Sequence, residues 1–161
     1  MSDTQDKLAL KYRSAMRAYV NSVSVLSAKD SDGNLYAMTV SSVISMTMNP
    51  PTLLVSVNNT TRILATLDEG SGIAVNLLTN NQKTVAEVCS DKFSVSKRFN
   101  YTDWNVNDIP YLVNAQVNLF CEIEKVLPYY THSIVLARVV DLKQNDLDGP
   151  LLYSQGKFLN I

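Results

Sequence analysis

The chain has 161 residues, enough for one domain (1–161) with a hydrophobic core and too few for two comfortable ones. Fourteen Lys and Arg nearly balance fifteen Asp and Glu, for a formal charge of −1, so no field draws in nucleic acid or an anionic membrane, and neither partner is expected. The N-terminal MSDTQDKLALKYRSAM is charged and has no continuous apolar stretch, which argues against a secretory signal, and no run approaches transmembrane length.

Thr4 to Tyr19 reads as an amphipathic helix with Leu8, Tyr12, Met16 and Tyr19 on one face, and Ser2 with Gln5 has capping-box spacing. NSVSVLSAKD follows as a strand closed by the turn SDGN at Ser31 to Asn34. From Ala37 to Met48 the chain alternates. Met38, Val40, Ile44, Met46 and Met48 are expected on a core face, and Thr39, Ser41, Ser45 and Thr47 on a hydroxyl-lined outer face without charge. The alternation slips once at Ser42 and Val43, as at a bulge. Asn49-Pro50-Pro51 ends that strand because proline cannot donate to a ladder, and TLLVSV resumes as another.

NNTTRILATLDEG reads as a short helix capped by Asn59 or Thr60, with Ile63, Leu64 and Leu67 on its apolar face. Gly72 to Leu78 is an apolar strand, and Thr79 with Gln82 opens a short helix through KTVAEVC. Ser90 to Leu112 is a long polar and aromatic loop with a helical turn near Ser96 to Phe99; loops of that length in compact domains commonly serve function. NAQVNLFCEIEKVL, HSIVLARVVDL and LLYSQGKFLNI are three further strands, the first two joined by a hairpin at Pro128 to Thr131. About seven strands with a few short helices and no βαβ rhythm favour a mainly β fold, a closed antiparallel barrel with helices attached.

The inventory of catalytic side chains is thin. There is no GxSxG elbow, P-loop or GxGxxG, and a single histidine cannot serve a triad with much redundancy. Cys89 and Cys121 lack CxxC spacing and read as buried, reduced thiols of a cytoplasmic protein, and no cluster has the spacing of metal ligands. An enzyme built from this chain would lean on a cofactor. NNTTR places hydroxyls and Arg62 where a strand gives way to a helix, a setting that suits a phosphate; simple capping by Thr60 and a solvated Arg62 is the alternative.

The motif order then carries a resemblance. SVSVLS, MTVSS, Asn49-Pro50-Pro51, Asn58 to Ile63, Ile73 to Leu78, SKRFNYTDW, YYTHSIVLARV and PLLYSQGKF resemble, in sequence and spacing, the flavin reductase family. Its fold is an FMN-binding split β-barrel, an antiparallel Greek-key-like barrel with short flanking helices. Ser41 stands where the family has Asn, Val43 where an aromatic is common, and Tyr130-Thr131 in place of Gly-Asp before the histidine.

The resemblance implies an NAD(P)H:flavin oxidoreductase that passes hydride from NADH or NADPH to FMN or FAD. It also implies a homodimer, and delivery of reduced flavin to a partner monooxygenase. Carried over, Thr39, Ser41 and Ser42 would follow the flavin ring and ribityl chain, and Asn58, Thr60 and Arg62 the phosphate. His132 would border the nicotinamide as the catalytic residue, and Phe93 or Phe99 would cover the ring. Two rival readings keep the same barrel: a non-catalytic flavin-binding or sensory domain, and a flavin-dependent oxidase of a small amine-like substrate.

Overall fold

The computed structural model describes residues 3–145 and 149–159, and Ser2 of the expected capping box lies outside them. The chain opens with α1 (Asp3–Met16), β1 (Asn21–Ser22), β2 (Ser24–Lys29), β3 (Leu35–Val40), β4 (Val43–Met48), β5 (Pro51–Asn58) and β6 (Gly72–Leu77). It continues through α2 (Lys83–Ser90), β7 (Trp104–Asn105), β8 (Tyr111–Leu112), β9 (Val117–Tyr129), β10 (His132–Gln144), β11 (Leu152–Ser154) and β12 (Lys157–Leu159).

Seven strands form one antiparallel sheet in the order β3-β2-β6-β9-β10-β5-β4. β3 and β4 follow each other in the chain yet occupy opposite edges, so the sheet curls until its edges meet at Ser41-Ser42. Just before β4 the pairing with β5 continues by one rung: the Ser42 carbonyl accepts from Ser56 N at 3.4 Å and Ser42 Oγ donates to the Ser56 carbonyl at 2.9 Å. Among the described residues no ladder joins β3 to β4, so the barrel is split along that seam, as the resemblance implies.

Inside it, β5 buries every second residue, Leu53, Val55 and Val57, against Leu26, Ile73, Val75, Ile123 and Val135. Each such side chain contributes about 1.5–3 kcal/mol of burial. β2 and β6 are buried on both faces because a second cluster, Val25, Leu78, Val85, Ala86, Cys89 and Leu112, packs α2 and the long loop onto the outside. α2 starts as expected, with the Thr79 amide donating to Gln82 Oε1 at 3.0 Å.

Asn76 fastens the layers together. Fully buried, it donates through Nδ2 to the Val25 carbonyl (2.8 Å) and Ser27 Oγ (3.0 Å), and accepts at Oδ1 from Leu112 N (3.0 Å) and Asn118 Nδ2 (2.8 Å).

Several elements depart from the sequence reading. Ala37 to Met48 is two strands, because the chain turns the barrel's open seam at Ser41-Ser42 where a bulge was expected. Ile44, Met46 and Met48 are 56%, 53% and 77% exposed, since β4 is an edge strand and that face of it is left uncovered by the described residues. The amphipathic face of α1, with Leu8, Tyr12 and Met16, is likewise exposed. The NNTTR helix is only a 3-10 helix, Arg62–Thr66, begun by Thr61 without a side-chain cap. The long loop holds the small β7-β8 hairpin, and the closing LLYSQGKFL is a hairpin, β11-β12, turned by Gln155-Gly156.

Candidate functional site

β3 walls a cavity of about 780 Å³, and the Thr60 to Ile63 turn and the segment from Cys89 to Phe99 complete it. The turn is rigid because its polar groups are paired within the protein. Asn58 Oδ1 accepts from Thr60 N (2.9 Å) and Thr60 Oγ1 (2.8 Å), and Thr61 Oγ1 donates to the Asn58 carbonyl (2.7 Å). Asn59 staples it to the β9-β10 hairpin, donating to the Tyr130 carbonyl (3.0 Å) and accepting from Ser133 Oγ (2.8 Å). The hydroxyls therefore shape the turn, and the uncompensated polar group it presents is Arg62. With only a five-residue 3-10 helix behind it, the turn offers a charged side chain to an anion and little helix dipole.

Arg98 faces the same cavity from the opposite segment. Its Nη atoms donate to the carbonyls of Ala37 and Asp91, pinning the loop against β3, while Nε is buried without an acceptor. Burial pulls the Arg98 guanidinium below its ordinary value, and the nearby charge of Arg62 pulls in the same direction. Among the described residues neither arginine has a carboxylate within ion-pair distance; Asp91 acts on Arg98 only at longer range and is engaged by Ser94 Oγ and Phe93 N. Two guanidiniums sharing a cavity without a counter-ion form a seat for an anion.

Along the β3 wall, Thr39 Oγ1 donates to the Ala86 carbonyl at 2.6 Å, which leaves its oxygen as an acceptor. Tyr36 OH donates to Asp30 Oδ2 at 3.0 Å, and that bond raises the phenol pKa. Cys89 also borders the cavity. Burial pushes its thiol up to about 11, against which the Arg98 charge works, and burial pushes Cys121 up to about 12. Thiolate at pH 8 is then about 0.1% or less of either residue, so neither should be alkylated by iodoacetamide in the folded protein, and both should be after denaturation. Because both thiols are shifted upward, their contribution to stability is present below the ordinary 9.0 and lost as pH climbs through 11 and 12.

Of the expected site residues, Thr39, Thr60, Arg62 and Phe99 line this cavity. Asn58 holds the turn from behind. The Ser42 hydroxyl is spent on the Ser56 carbonyl of β5, and Ser41 lies in a second, smaller cavity. Phe93 is 95% exposed and lies outside the lining, whereas Phe99 packs on Trp104 with ring centroids 4.6 Å apart. His132 sits directly across the β5-β10 ladder from Asn58, exposed, with Nδ1 2.9 Å from Thr131 Oγ1. Arg98 and Tyr36 were missed. The signal for Arg98 lies in the SKRF stretch, directly before Phe99.

The cavity fits a flavin nucleotide on the chemistry of its donors. The orphaned Arg98 Nε and unpaired Arg62 suit a phosphate, and the uncharged β3 wall of Met38 and Thr39 suits a planar ring with polar edges.

A family model described as flavin reductase like domain matches residues 16–161. The reductase component of an FADH2-dependent resorcinol hydroxylase from a Rhizobium species is 32% identical over 91% of this chain and 84% of its own length. The NADH-dependent FMN reductase RutF of Pantoea ananatis is 29% identical over 92% of this chain and 78% of its own. The styrene monooxygenase flavin reductase of Pseudomonas putida S12 superposes with a TM-score of 0.83 at 26% identity, covering 92% of this chain and 96% of that one. With the split barrel and the cation-seated cavity, these matches establish that the chain belongs to the flavin reductase like family.

Proposed function

We propose that this chain, working as one domain, is an NAD(P)H-dependent flavin reductase. It binds FMN or FAD in the cavity beside β3, takes hydride from reduced nicotinamide, and gives up reduced flavin to a partner monooxygenase. The observation that carries this reading is the Arg62 and Arg98 pair, two guanidiniums that among the described residues have no carboxylate partner, in a cavity walled by an uncharged strand. The names of the relatives supply the reaction, since they include an NADH-dependent FMN reductase and the reductase components of a hydroxylase and a monooxygenase.

The flavin, when bound, supplies the hydride-accepting chemistry. The chain supplies position. Arg62 and Arg98 would hold the phosphate end, and Thr39 and Met38 would line the ring. The Phe99-Trp104 pair with the buried Cys89 keeps that wall dry. No protein nucleophile or general base is needed, because the barrier falls chiefly by holding donor and acceptor at near-attack distance. His132 borders the nicotinamide from the β5-β10 rim beside Asn58.

The assembly is a homodimer, supported by the apolar surface left open on one chain: Ile44, Met46 and Met48 on β4, and Leu8 and Tyr12 on α1. Unpaired, buried Cys89 and Cys121 agree with a cytoplasmic location, and no helix among the described residues is long and apolar enough to cross a membrane.

Steady-state kinetics with His132→Ala tests the nicotinamide assignment. NADH consumption in the presence of FMN should show a raised KM for NADH, by about 3- to 30-fold for one lost polar contact, with FMN affinity little altered. Equal loss of both would give His132 a structural role at the hairpin.

A further inference from the structure

A second cavity, of about 380 Å³, lies between the end of α1 and the β11-β12 turn, and includes Arg13, Arg17, Tyr19, Ser41 and Tyr153 in its lining. Arg13 lies in the last turn of α1 and Arg17 just beyond its end, and both line the cavity. Among the described residues neither guanidinium has a carboxylate partner or a hydrogen-bond acceptor.

Arg17 is held in place by its own backbone, whose carbonyl accepts from Gln155 N at 2.7 Å and Ser154 Oγ at 3.2 Å. Its guanidinium lies over Gly156, where φ is +81° and a Cβ would stand 2.5 Å from Arg17 Nη2. Any side chain at 156 would push that cation off its seat. Tyr19, 62% exposed, and Tyr153, 37% exposed, add aromatic surface, and Ser41 adds a hydroxyl. Ser41 is only two residues beyond Thr39, about 7 Å along an extended chain, so the second cavity opens close to the flavin cavity.

We infer that this second cavity takes an adenosine diphosphate group, with Arg13 and Arg17 on the phosphates, Ser41 on the ribose, and Tyr19 and Tyr153 beside the base. The group is the adenylate half of the reduced nicotinamide dinucleotide, whose other half reaches the flavin past Thr39. This assignment rests on the reductase reading. Paired guanidiniums with flanking aromatic rings are the recognition chemistry of a phosphorylated nucleoside, and an all-polar surface patch would lack the rings.

The test compares NADH with its mononucleotide counterpart, reduced nicotinamide mononucleotide, which carries the same hydride but no adenylate. In the Arg13→Gln/Arg17→Gln protein, with FMN as acceptor, the KM for NADH should rise about 10- to 100-fold relative to that for the mononucleotide. A ratio that stays constant overturns the assignment. A loss of affinity confined to FAD over FMN, with the NADH ratio constant, would give the adenylate site to the flavin and overturn the nicotinamide source.

Arg17 touches the turn that closes the fold, so Arg13→Gln alone, on an exposed helix position, serves as the second variant and should move the same ratio several-fold. If the native protein reduces flavin with neither reductant, the reductase reading falls. Calorimetry with ADP on native and doubly substituted protein then decides the cavity by itself: binding lost on substitution supports it, and no binding to the native protein overturns it.

Discussion

Flavin titration of the Arg62→Ala protein is expected to show FMN binding weakened by roughly 1–3 kcal/mol, about 5- to 150-fold, while riboflavin, which lacks the phosphate, binds as before. The Thr60 and Thr61 hydroxyls already donate within the turn, so they cannot take over the anion when the guanidinium is gone. The turn itself should survive, because Asn58 and Asn59 hold it through bonds that do not involve Arg62. Equal weakening of FMN and riboflavin would mean that Arg62 shapes the cavity and does not meet the phosphate. Unchanged FMN affinity would remove it from the site.

The largest effect on stability is expected at Asn76. Its side chain makes four hydrogen bonds in a fully buried position, and one of them is the acceptor for the Leu112 amide. Asn76→Ala leaves the Leu112 amide without its acceptor, removes one bond each from the Val25 carbonyl and the Asn118 amide group, and empties buried space, at about 1–3 kcal/mol for a group left wholly unpaired. Asn118 Nδ2 keeps its bond to the Leu112 carbonyl, so the sum is moderated to roughly 3–5 kcal/mol. Urea unfolding should therefore show a midpoint lowered by much of the stability of an ordinary domain, with the slope preserved. A loss under about 1 kcal/mol would mean that water replaces the amide, and the network would not be what fastens the long loop to the barrel.

How much of this was legible beforehand depends on the residue. β5, β6 and the long β9-β10 hairpin were plain from alternation and from runs of Val and Ile, because their environment is set by the sheet they lie in. β4 was legible as a strand and misleading as to its surroundings. Its period of two puts Ile44, Met46 and Met48 on one face, but periodicity cannot say whether that face meets this chain's own core or another surface. The same holds for the open face of α1.

The site divides along similar lines. Arg62 and Thr39 could be found because they lie in local patterns that carry chemistry, a cation after a strand and a hydroxyl on an uncharged face. Arg98 could not be paired with Arg62 from the sequence, since 36 positions separate them and the packing of the long loop on β3 brings them together. Ser42 looked like a ligand and instead extends the pairing of β4 with β5, because its hydroxyl donates to the Ser56 carbonyl opposite it. The NNTTR turn looked like a capped helix; its hydroxyls instead donate to the Asn58 side-chain and backbone oxygens, and the arginine is left for the anion.

The central claim is tested most directly by mixing the purified protein anaerobically with FMN and NADH, and repeating with FAD and with NADPH, while following the absorbance of oxidised flavin against a protein-free control. Protein-dependent bleaching is the predicted result. Flavin that binds and stays oxidised with both nicotinamides would contradict it, pointing to a binding or sensory domain, or, if a small amine then bleaches the flavin, to an oxidase.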